Sequence, residues 1–355
     1  MWGAGAPGWI RVRGRRVEAK VYAEHGPGAV VVEGLAPDAV NRLEVHHESS
    51  GARVELDVRT LAPPPGRLLA KVATVSDLHI GSRSFGLLHT MTEPLGVGGP
   101  HALVCARAAL EEATAWGPDL LVVKGDLTNR GRREEWAQVN ELLSGLGVPV
   151  LAAPGNHDTW SFRHEEPARA FGVADGRFAD PLVSVDLPGV RVVLADSCVP
   201  GRAHGAVGRF QANLLDAAAE AAGPTLVGLH HPFDRRRPRY PPGVPAPEAD
   251  AFLAALGKAN GATLVTSGHT HRNRRRRHGP LTLTEVAAVK DHPGVWAGYA
   301  VHEGGVRQVV RRVADPAAMV WTEYCRWAVG GLWGAYSPGS LAARCFTLRW
   351  PRRTR

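Results

Sequence analysis

The run VPVLAAPGNHD, Val148 to Asp158, changes character midway. Apolar residues continue as far as Ala153, and Val148, Val150 and Leu151 suit a short buried strand. Pro154-Gly155 marks a turn at its carboxyl end. Asn156, His157 and Asp158 then follow on a loop at a strand mouth, where α/β proteins keep their chemistry.

The chain repeats this arrangement four more times. Lys71–Val75 leads into Ser76-Asp77-Leu78-His79, and Leu120–Val123 into Lys124-Gly125-Asp126. Thr225–Leu229 leads into His230-His231-Pro232, and Ala262–Val265 into Ser267-Gly268-His269-Thr270-His271. Five hydrophobic strands each deliver Asp, Asn or His at the carboxyl end, which scattered surface histidines would not do.

Working outward, the 355 residues exceed what one core usually takes, so two domains, or one with appendages, are expected. A hydrophobic share of 44% and a charged share of 21% describe an ordinary globular composition. No stretch reaches the roughly 18 apolar residues of a membrane helix, and the first residues lack an apolar signal core. A cytoplasmic location is the expectation. Cys105, Cys198, Cys325 and Cys345 are widely spaced, which excludes zinc-ribbon and C-x-x-C redox motifs and leaves reduced, structural thiols. The net charge of +8 rests on arginine, since the lysines are confined to positions 20, 71, 124, 258 and 290. That balance permits an anionic substrate without establishing a nucleic-acid partner.

Residues 1–65 read as short strands between Gly and Pro: Trp9–Val12, Val17–Tyr22, Ala29–Val32, Arg42–His46 and Val54–Arg59. Leu61-Ala62-Pro63-Pro64-Pro65-Gly66 is a stiff, extended linker. From Leu68 strands alternate with helices expected at Ala102–Trp116, Glu134–Leu146, Gln211–Ala222 and Glu248–Asn260. Strands Leu182–Asp186 and Val190–Ala195 flank Pro188-Gly189. A β-rich closing section comprises Leu281–Val289, Val295–His302 and Val306–Val313, with a turn at Gly304-Gly305. Met319–Trp333 suits a helix broken at Gly330-Gly331, in a segment carrying Trp321, Trp327, Trp333 and Trp350. This segment either packs its aromatics on the main domain, or caps the site or meets a partner or membrane surface.

Together the loops read D-x-H, G-D, G-N-H-D, H-H-P and G-H-x-H, in order from Asp77 to His271. They resemble the calcineurin-like metallophosphoesterase superfamily over roughly Lys71–Val313, and look most like its cyclic-nucleotide phosphodiesterase branch. Gly34-Leu35-Ala36-Pro37 with Arg59-Thr60-Leu61 resembles fibronectin type III-like domains, and the short β section is similar to one attached to some purple-acid-phosphatase-like members. The fold implied is α/β, an αββα sandwich preceded by a small all-β sandwich: residues 1–65, then 68–315, then a Trp-rich extension over 316–355. The resemblance implies two metal ions, one held by Asp77, His79, Asp126 and His271. The other is held by Asn156, His230 and His269, with Asp126 bridging.

The residues carry a physical reading of their own. Side chains two apart on extended backbone face the same way, so Asp77 and His79 can grip one ion and His269 and His271 can both face inward. Mixed Asp and His ligands suit Mn, Fe or Zn better than Ca or Mg. Two divalent ions, less Asp77, Asp126 and a bridging hydroxide, leave about +1, which suits a phosphate anion and supplies an in-line nucleophile. His157 diverges from Asn156 and suits a general acid for the leaving alkoxide. Asp158 suits a brace of the turn.

Some positions depart from related branches. Protein phosphatases carry GDxxDRG, whereas Asn129 stands here in place of the second Asp. Protein-phosphatase activity is therefore not expected, although Arg130 can still meet substrate. Leu127, Thr128 and Asn129 offer no tyrosine ligand of the purple acid phosphatase kind. Arginine runs at Arg235–Arg237 with Arg239, and at Arg272 with Arg274–Arg277, either funnel a polyanion or form solvated loops. His231 is expected beside the ligands rather than among them; His89 and His101, in or beside the Gly-rich loop after the first motif, are expected to stand apart from the site, with lining of its mouth as the lesser alternative. His164, His204, His278 and His292 are expected at the surface.

The expectation is thus a dinuclear phosphoesterase acting on a small anionic phosphodiester, with a cyclic nucleotide as first substrate. Alternatives are a phosphomonoesterase, a nuclease, a non-catalytic scaffold and a nucleic-acid-binding module. The oligomeric state is not legible.

Overall fold

The computed structural model of the chain describes residues 8–12, 15–18, 20–21, 28–29, 31–47, 51–86, 89–93, 99–161, 163–174, 176–234 and 241–351. Arg235–Arg237 and Arg239 lie outside them, as do parts of the expected strands Val17–Tyr22 and Ala29–Val32.

The amino-terminal section contains β1 (Gly8–Val12), β2 (Arg15–Glu18), β3 (Lys20–Val21), β4 (Gly28–Ala29), β5 (Val40–His47) and β6 (Arg53–Arg59). An antiparallel sheet has the order β2-β1-β5-β6, and β3 pairs with β4 separately. Leu43 is buried against Val32, Leu35, Val45 and Val58. The Gly34–Pro37 turn has a local cause. Asn41 accepts from the Ala36 N–H at 3.0 Å and donates to its carbonyl at 3.1 Å, and the Thr60 hydroxyl donates to the same carbonyl. The proline linker is pinned at its end: Gly304 N donates to Pro65 O at 2.9 Å and Thr347 Oγ1 to Ala62 O at 2.7 Å.

The remainder alternates strands and helices. These are β7 (Leu68–Val75), β8 (Ser84–Phe85), β9 (Met91–Thr92), α1 (His101–Ala115), β10 (Leu120–Lys124), α2 (Arg133–Leu143) and β11 (Val150–Ala153). Next come α3 (Pro167–Ala170), β12 (Gly176–Phe178), β13 (Leu182–Leu187), β14 (Val190–Ala195), α4 (Gln211–Glu220), β15 (Thr225–Leu229) and α5 (Ala246–Ala259). The chain continues with β16 (Thr263–Ser267), β17 (Arg274–His278), β18 (Leu281–Glu285), β19 (Val295–His302) and β20 (Gly305–Arg312). It closes with α6 (Pro316–Cys325), α7 (Leu332–Tyr336), α8 (Leu341–Arg344) and β21 (Cys345–Arg349).

Two sheets pack face to face. One has the order β12-β11-β10-β7-β19-β20-β21 and the other β13-β14-β15-β16-β18-β17. Alternate side chains of each strand serve different layers, as the two-residue period requires. Val72, Leu120, Val122 and Leu151 meet Val192, Leu194, Leu226 and Leu264 between the sheets. Ala73, Val75, Leu121 and Val123 pack outward with Ala106, Ala109 and Leu110 of α1 and Trp136 of α2. Val193, Val227 and Val265 pack outward with Leu214 of α4 and Phe252 of α5. The result is the α/β, four-layer αββα sandwich. Strands β7, β10 and β11 run parallel, as do β14, β15 and β16, so five motif-bearing carboxyl ends gather at one edge.

Two expectations need adjustment. The run Leu281–Val289 is not one strand. Beyond Glu285 its amides change partners, Val286 N donating to Ser267 O at 2.9 Å and Val289 N to Ser76 O at 3.2 Å, because here the chain crosses from one sheet to the other. The helix expected at Met319–Trp333 starts earlier, where Asp315 caps it by accepting from Ala318 N, and it stops at Cys325. Gly331 in the left-handed region separates it from α7. The segment after 316 packs into the main body: β21 extends the first sheet, and Trp321 sits in its outer core. All four cysteines are free thiols. Among the described residues no helix is long and apolar enough to cross a membrane.

Candidate metal centre

Asp77, His79, Asp126, Asn156, His230 and His269 are all buried at the joined strand ends, and His271 is half-buried beside them. Asp126 stands at the middle. One carboxylate oxygen lies 3.3 Å from His79 Nε2 and the other 3.4 Å from His230 Nε2. On the His79 side, His271 Nε2 is 3.3 Å from His79 Nε2 and 3.4 Å from Asp77 Oδ1. On the other, His230 Nε2 is 3.1 Å from Asn156 Oδ1, and the His230 and His269 rings are 5.0 Å apart.

Holding these groups together requires unusual backbone. Asp77, His79, Asp126, His269 and His271 all have positive φ, between 45° and 67°, which costs energy for residues with a β-carbon. The glycines are there for close approach. A β-carbon on Gly155 would lie 2.1 Å from Asp126 Oδ1, and one on Gly268 would lie 2.5 Å from Asp77 Oδ2.

The donor set fits metal ions. A buried cluster of lone pairs at these distances is costly unless a cation or shared protons occupy it. Three of the imidazoles, those of His230, His269 and His271, are also anchored through their other nitrogen, as metal-ligating histidines are, whereas the buried Nδ1 of His79 has no partner. His230 Nδ1 donates to Lys124 O at 2.9 Å, His271 Nδ1 to Asp291 Oδ2 at 2.6 Å, and His269 Nε2 to Pro242 O at 3.0 Å. Nε2 of His230 and His271 and Nδ1 of His269 remain for a ligand.

Protonation follows the same geometry. Burial alone would lower His230, but Asp126 outweighs it and holds the ring up to about 9. Burial likewise opposes, and Asp291 and Asp77 overcome, so that His271 is held up to about 10. Burial, then His230, pushes His269 down to about 3. Against burial, His230, His157 and His79 keep Asp126 well below the usual carboxylate range. Ligation needs neutral imidazole, so metal binding must displace the protons on His230 and His271. Manganese binding at pH 7–8 is therefore expected to release about two protons per chain. Its apparent affinity should rise with pH until about pH 9–10 and then level. Titration calorimetry in buffers of differing ionisation enthalpy measures both, and a pH-independent affinity would contradict this proton inventory.

His157 and Asn156 have different neighbours, Asn156 Oδ1 lying near His230. The His157 ring nitrogen groups with His79 and Asp126, and its ring lies 4.5 Å from that of His79. Its Nδ1 donates to the Asn129 carbonyl at 3.1 Å, which leaves Nε2 without that partner. A main-chain oxygen thus orients the His157 ring. Asn129→Ala is accordingly expected to keep activity within a few-fold of wild type, and a hundredfold loss in steady-state assays would refute the carbonyl's role. Asp158 braces the turn. Its carboxylate accepts from Gly155 N at 2.8 Å, Thr128 N at 2.7 Å and Thr128 Oγ1 at 2.6 Å.

Arg130 is exposed, and its backbone N–H donates to Glu135 at 2.8 Å. His231 is fully buried, with Nδ1 2.9 Å from Ser197 Oγ, and groups with His230 and His269. His101 is buried and stacks on Trp321, because α6 covers it, and so does not line the mouth. One expectation fails. His292 is buried at 2% exposure rather than at the surface.

Reading the sequence missed Lys290 and Asp291. Asp291 fixes His271, and Lys290 Nζ donates to Ser82 Oγ at 3.0 Å. The signal was present: the apolar run ending at Val289 delivers Lys290-Asp291-His292, as the five motifs do. Phe85 and Trp160 were missed as well. Phe85 stacks 6.2 Å from the His271 ring and contacts Trp333, while half-exposed Trp160 stacks 6.3 Å from His157. Isolated aromatics give no periodic signal.

This edge-of-sheet cluster of Asp, Asn and His defines a phosphoesterase site, and the chain matches the family Calcineurin-like phosphoesterase over residues 70–273. The chain belongs to that family and is a phosphoric ester hydrolase. It is similar to the glycerophosphodiester phosphodiesterase GpdQ of Enterobacter lignolyticus, 26% identical over 228 residues, 61% of this chain and 76% of the other. It is also similar to the 3',5'-cyclic adenosine monophosphate phosphodiesterase CpdA of Pseudomonas aeruginosa, 28% identical over 205 residues, 53% of this chain and 67% of the other. Among solved structures, a purple acid phosphatase from yellow lupin aligns with a TM-score of 0.49 at 14% identity, over 88% of this chain and 68% of that one.

Proposed function

We propose that the chain hydrolyses a small phosphodiester, with a cyclic nucleotide as the first substrate class, at a centre built for two metal ions. The observation that carries this reading is Asp126, whose two oxygens face His79 and His230 at 3.3 and 3.4 Å. One carboxylate facing two sets of ligands is what a dinuclear site requires. Asp77, His79 and His271 with Asp126 would hold one Mn, Fe or Zn ion, and Asn156, His230 and His269 with Asp126 the other. When bound, such ions polarise a phosphoryl oxygen and make water acidic enough to attack at neutral pH.

The chain's own groups do the rest. Asp291 and the Lys124 carbonyl keep His271 and His230 turned inward. The Asn129 carbonyl holds Nδ1–H of His157, so that the proton on Nε2 is the one given to the departing oxygen. Trp160 and Phe85 flank the centre with aromatic faces, which suits a substrate carrying a nucleobase. Relatives named for diester cleavage support the same class.

The test is a panel of 3',5'-cyclic AMP, 3',5'-cyclic GMP, glycerophosphocholine, bis-p-nitrophenyl phosphate and p-nitrophenyl phosphate. Diesters should be cleaved with higher kcat/KM than the monoester. Preference for the monoester would overturn the diesterase reading, and cleavage of bis-p-nitrophenyl phosphate with no cyclic nucleotide would remove only the nucleotide.

A further inference from the structure

The strand that leaves the metal centre after His271 carries Arg274, Arg275, Arg276 and Arg277 in succession. This strand, β17, is the edge of the second sheet, paired on one side with β18. On its other side the carboxyl-terminal segment folds back. Asn273 N donates to Ser337 O at 2.9 Å, and Arg275 donates to Ala342 O at 3.4 Å. Between strand and segment lies a cavity of about 380 Å³, lined by Arg274, Arg275, Arg276, Glu285, Tyr336 and Ser340 among others. That volume falls in the range of small-ligand pockets, about 300–1,000 Å³.

The lining is unbalanced in charge. Its carboxylate, Glu285, is already engaged by Thr270 Oγ1 at 2.8 Å and Arg272 Nε at 3.4 Å. Arg274 donates to the Tyr336 hydroxyl and lies 5.3 Å over that ring. Arg275 lies 4.1 Å over the Phe346 ring. Both partners are neutral, and among the described residues no carboxylate is within ion-pair distance of Arg274 or Arg275. Both side chains are half-buried and line the one cavity, and burial with repulsion from Arg277 lowers the pKa of Arg275. Planar guanidinium forks match the oxygens of a phosphate in pairs. None of the candidate metal ligands lines this cavity, so it is separate from the hydrolytic centre.

We infer that the cavity between β17 and the carboxyl-terminal segment is a second, non-catalytic binding site for a phosphorylated small molecule, whose phosphate sits on Arg274 and Arg275. The ligand is either free phosphate or a phosphate borne on a nucleotide, and affinity separates them. The reading goes beyond diester hydrolysis and does not depend on it.

The experiment titrates AMP and inorganic phosphate into the full chain carrying Asp126→Asn, which disables the metal centre, by calorimetry. One phosphate-dependent site per chain is expected to persist. Adding Arg274→Gln with Arg275→Gln should weaken it by about tenfold or more, the size of one lost charge-assisted contact. Ser340→Asp provides a second variant, since Asp also caps α8 but brings negative charge into the cavity. It should weaken binding equally at unchanged Tm, and in the otherwise wild-type chain it should leave hydrolysis of bis-p-nitrophenyl phosphate intact. Tighter binding of AMP than of phosphate identifies a nucleotide site, and equal binding a phosphate site. No binding to the Asp126→Asn chain, or binding indifferent to these variants, would overturn the inference. A chain that binds AMP here but cleaves no diester would overturn the proposed function and leave this site standing.

Discussion

Asp126→Asn is expected to leave a folded chain with phosphodiester turnover reduced by about a thousandfold or more. The substitution keeps the shape of the side chain and removes its charge. That charge sits between His79 and His230, and it holds His230 protonated in the metal-free chain. Neutral Asn cannot serve two cations at once, and water without a metal ion returns to its ordinary acidity. Metal analysis of the purified variant should show fewer ions than wild type. Retained ions with near-normal turnover would show that Asp126 does not bridge.

His157→Ala has the second-largest expected effect, a loss in kcat of about 10²–10⁴-fold with metal content unchanged. The ring is fixed by the Asn129 carbonyl, while its main-chain N–H donates to Asp126 at 2.8 Å and survives the substitution. The diagnostic readout is the leaving group. A p-nitrophenolate departs without a proton, so its loss should be small, whereas an alkoxide of a ribose needs the acid and should lose most. A loss equal for both leaving groups would mean that His157 serves structure alone.

Much of the candidate site was legible because each candidate ligand is delivered locally. A buried strand ends, a Gly or Pro turns the chain, and the next polar residue must sit at the sheet edge, as with Gly125-Asp126 and Gly155-Asn156. The α/β class followed from the same alternation, and the four-layer arrangement from the family resemblance. What stayed hidden depends on tertiary packing. Asp291 and Lys290 reach the centre only because the chain crosses between sheets after Glu285, a change of hydrogen-bond partner that no periodicity announces. Trp333 meets Phe85 from far along the chain. His292 looks like a surface residue until α6 and α7 cover it, since a lone histidine carries no mark of its burial. The Arg274–Arg277 run was visible as charge, but the wall opposite it was not.

The metal content of purified chain, reconstituted with Mn and desalted, tests the central claim most directly when paired with bis-p-nitrophenyl phosphate turnover. About two ions per chain are expected, with turnover that vanishes on chelation and returns with Mn. Turnover that persists after complete chelation, or full turnover with no bound ion, would contradict a dinuclear centre built on Asp126.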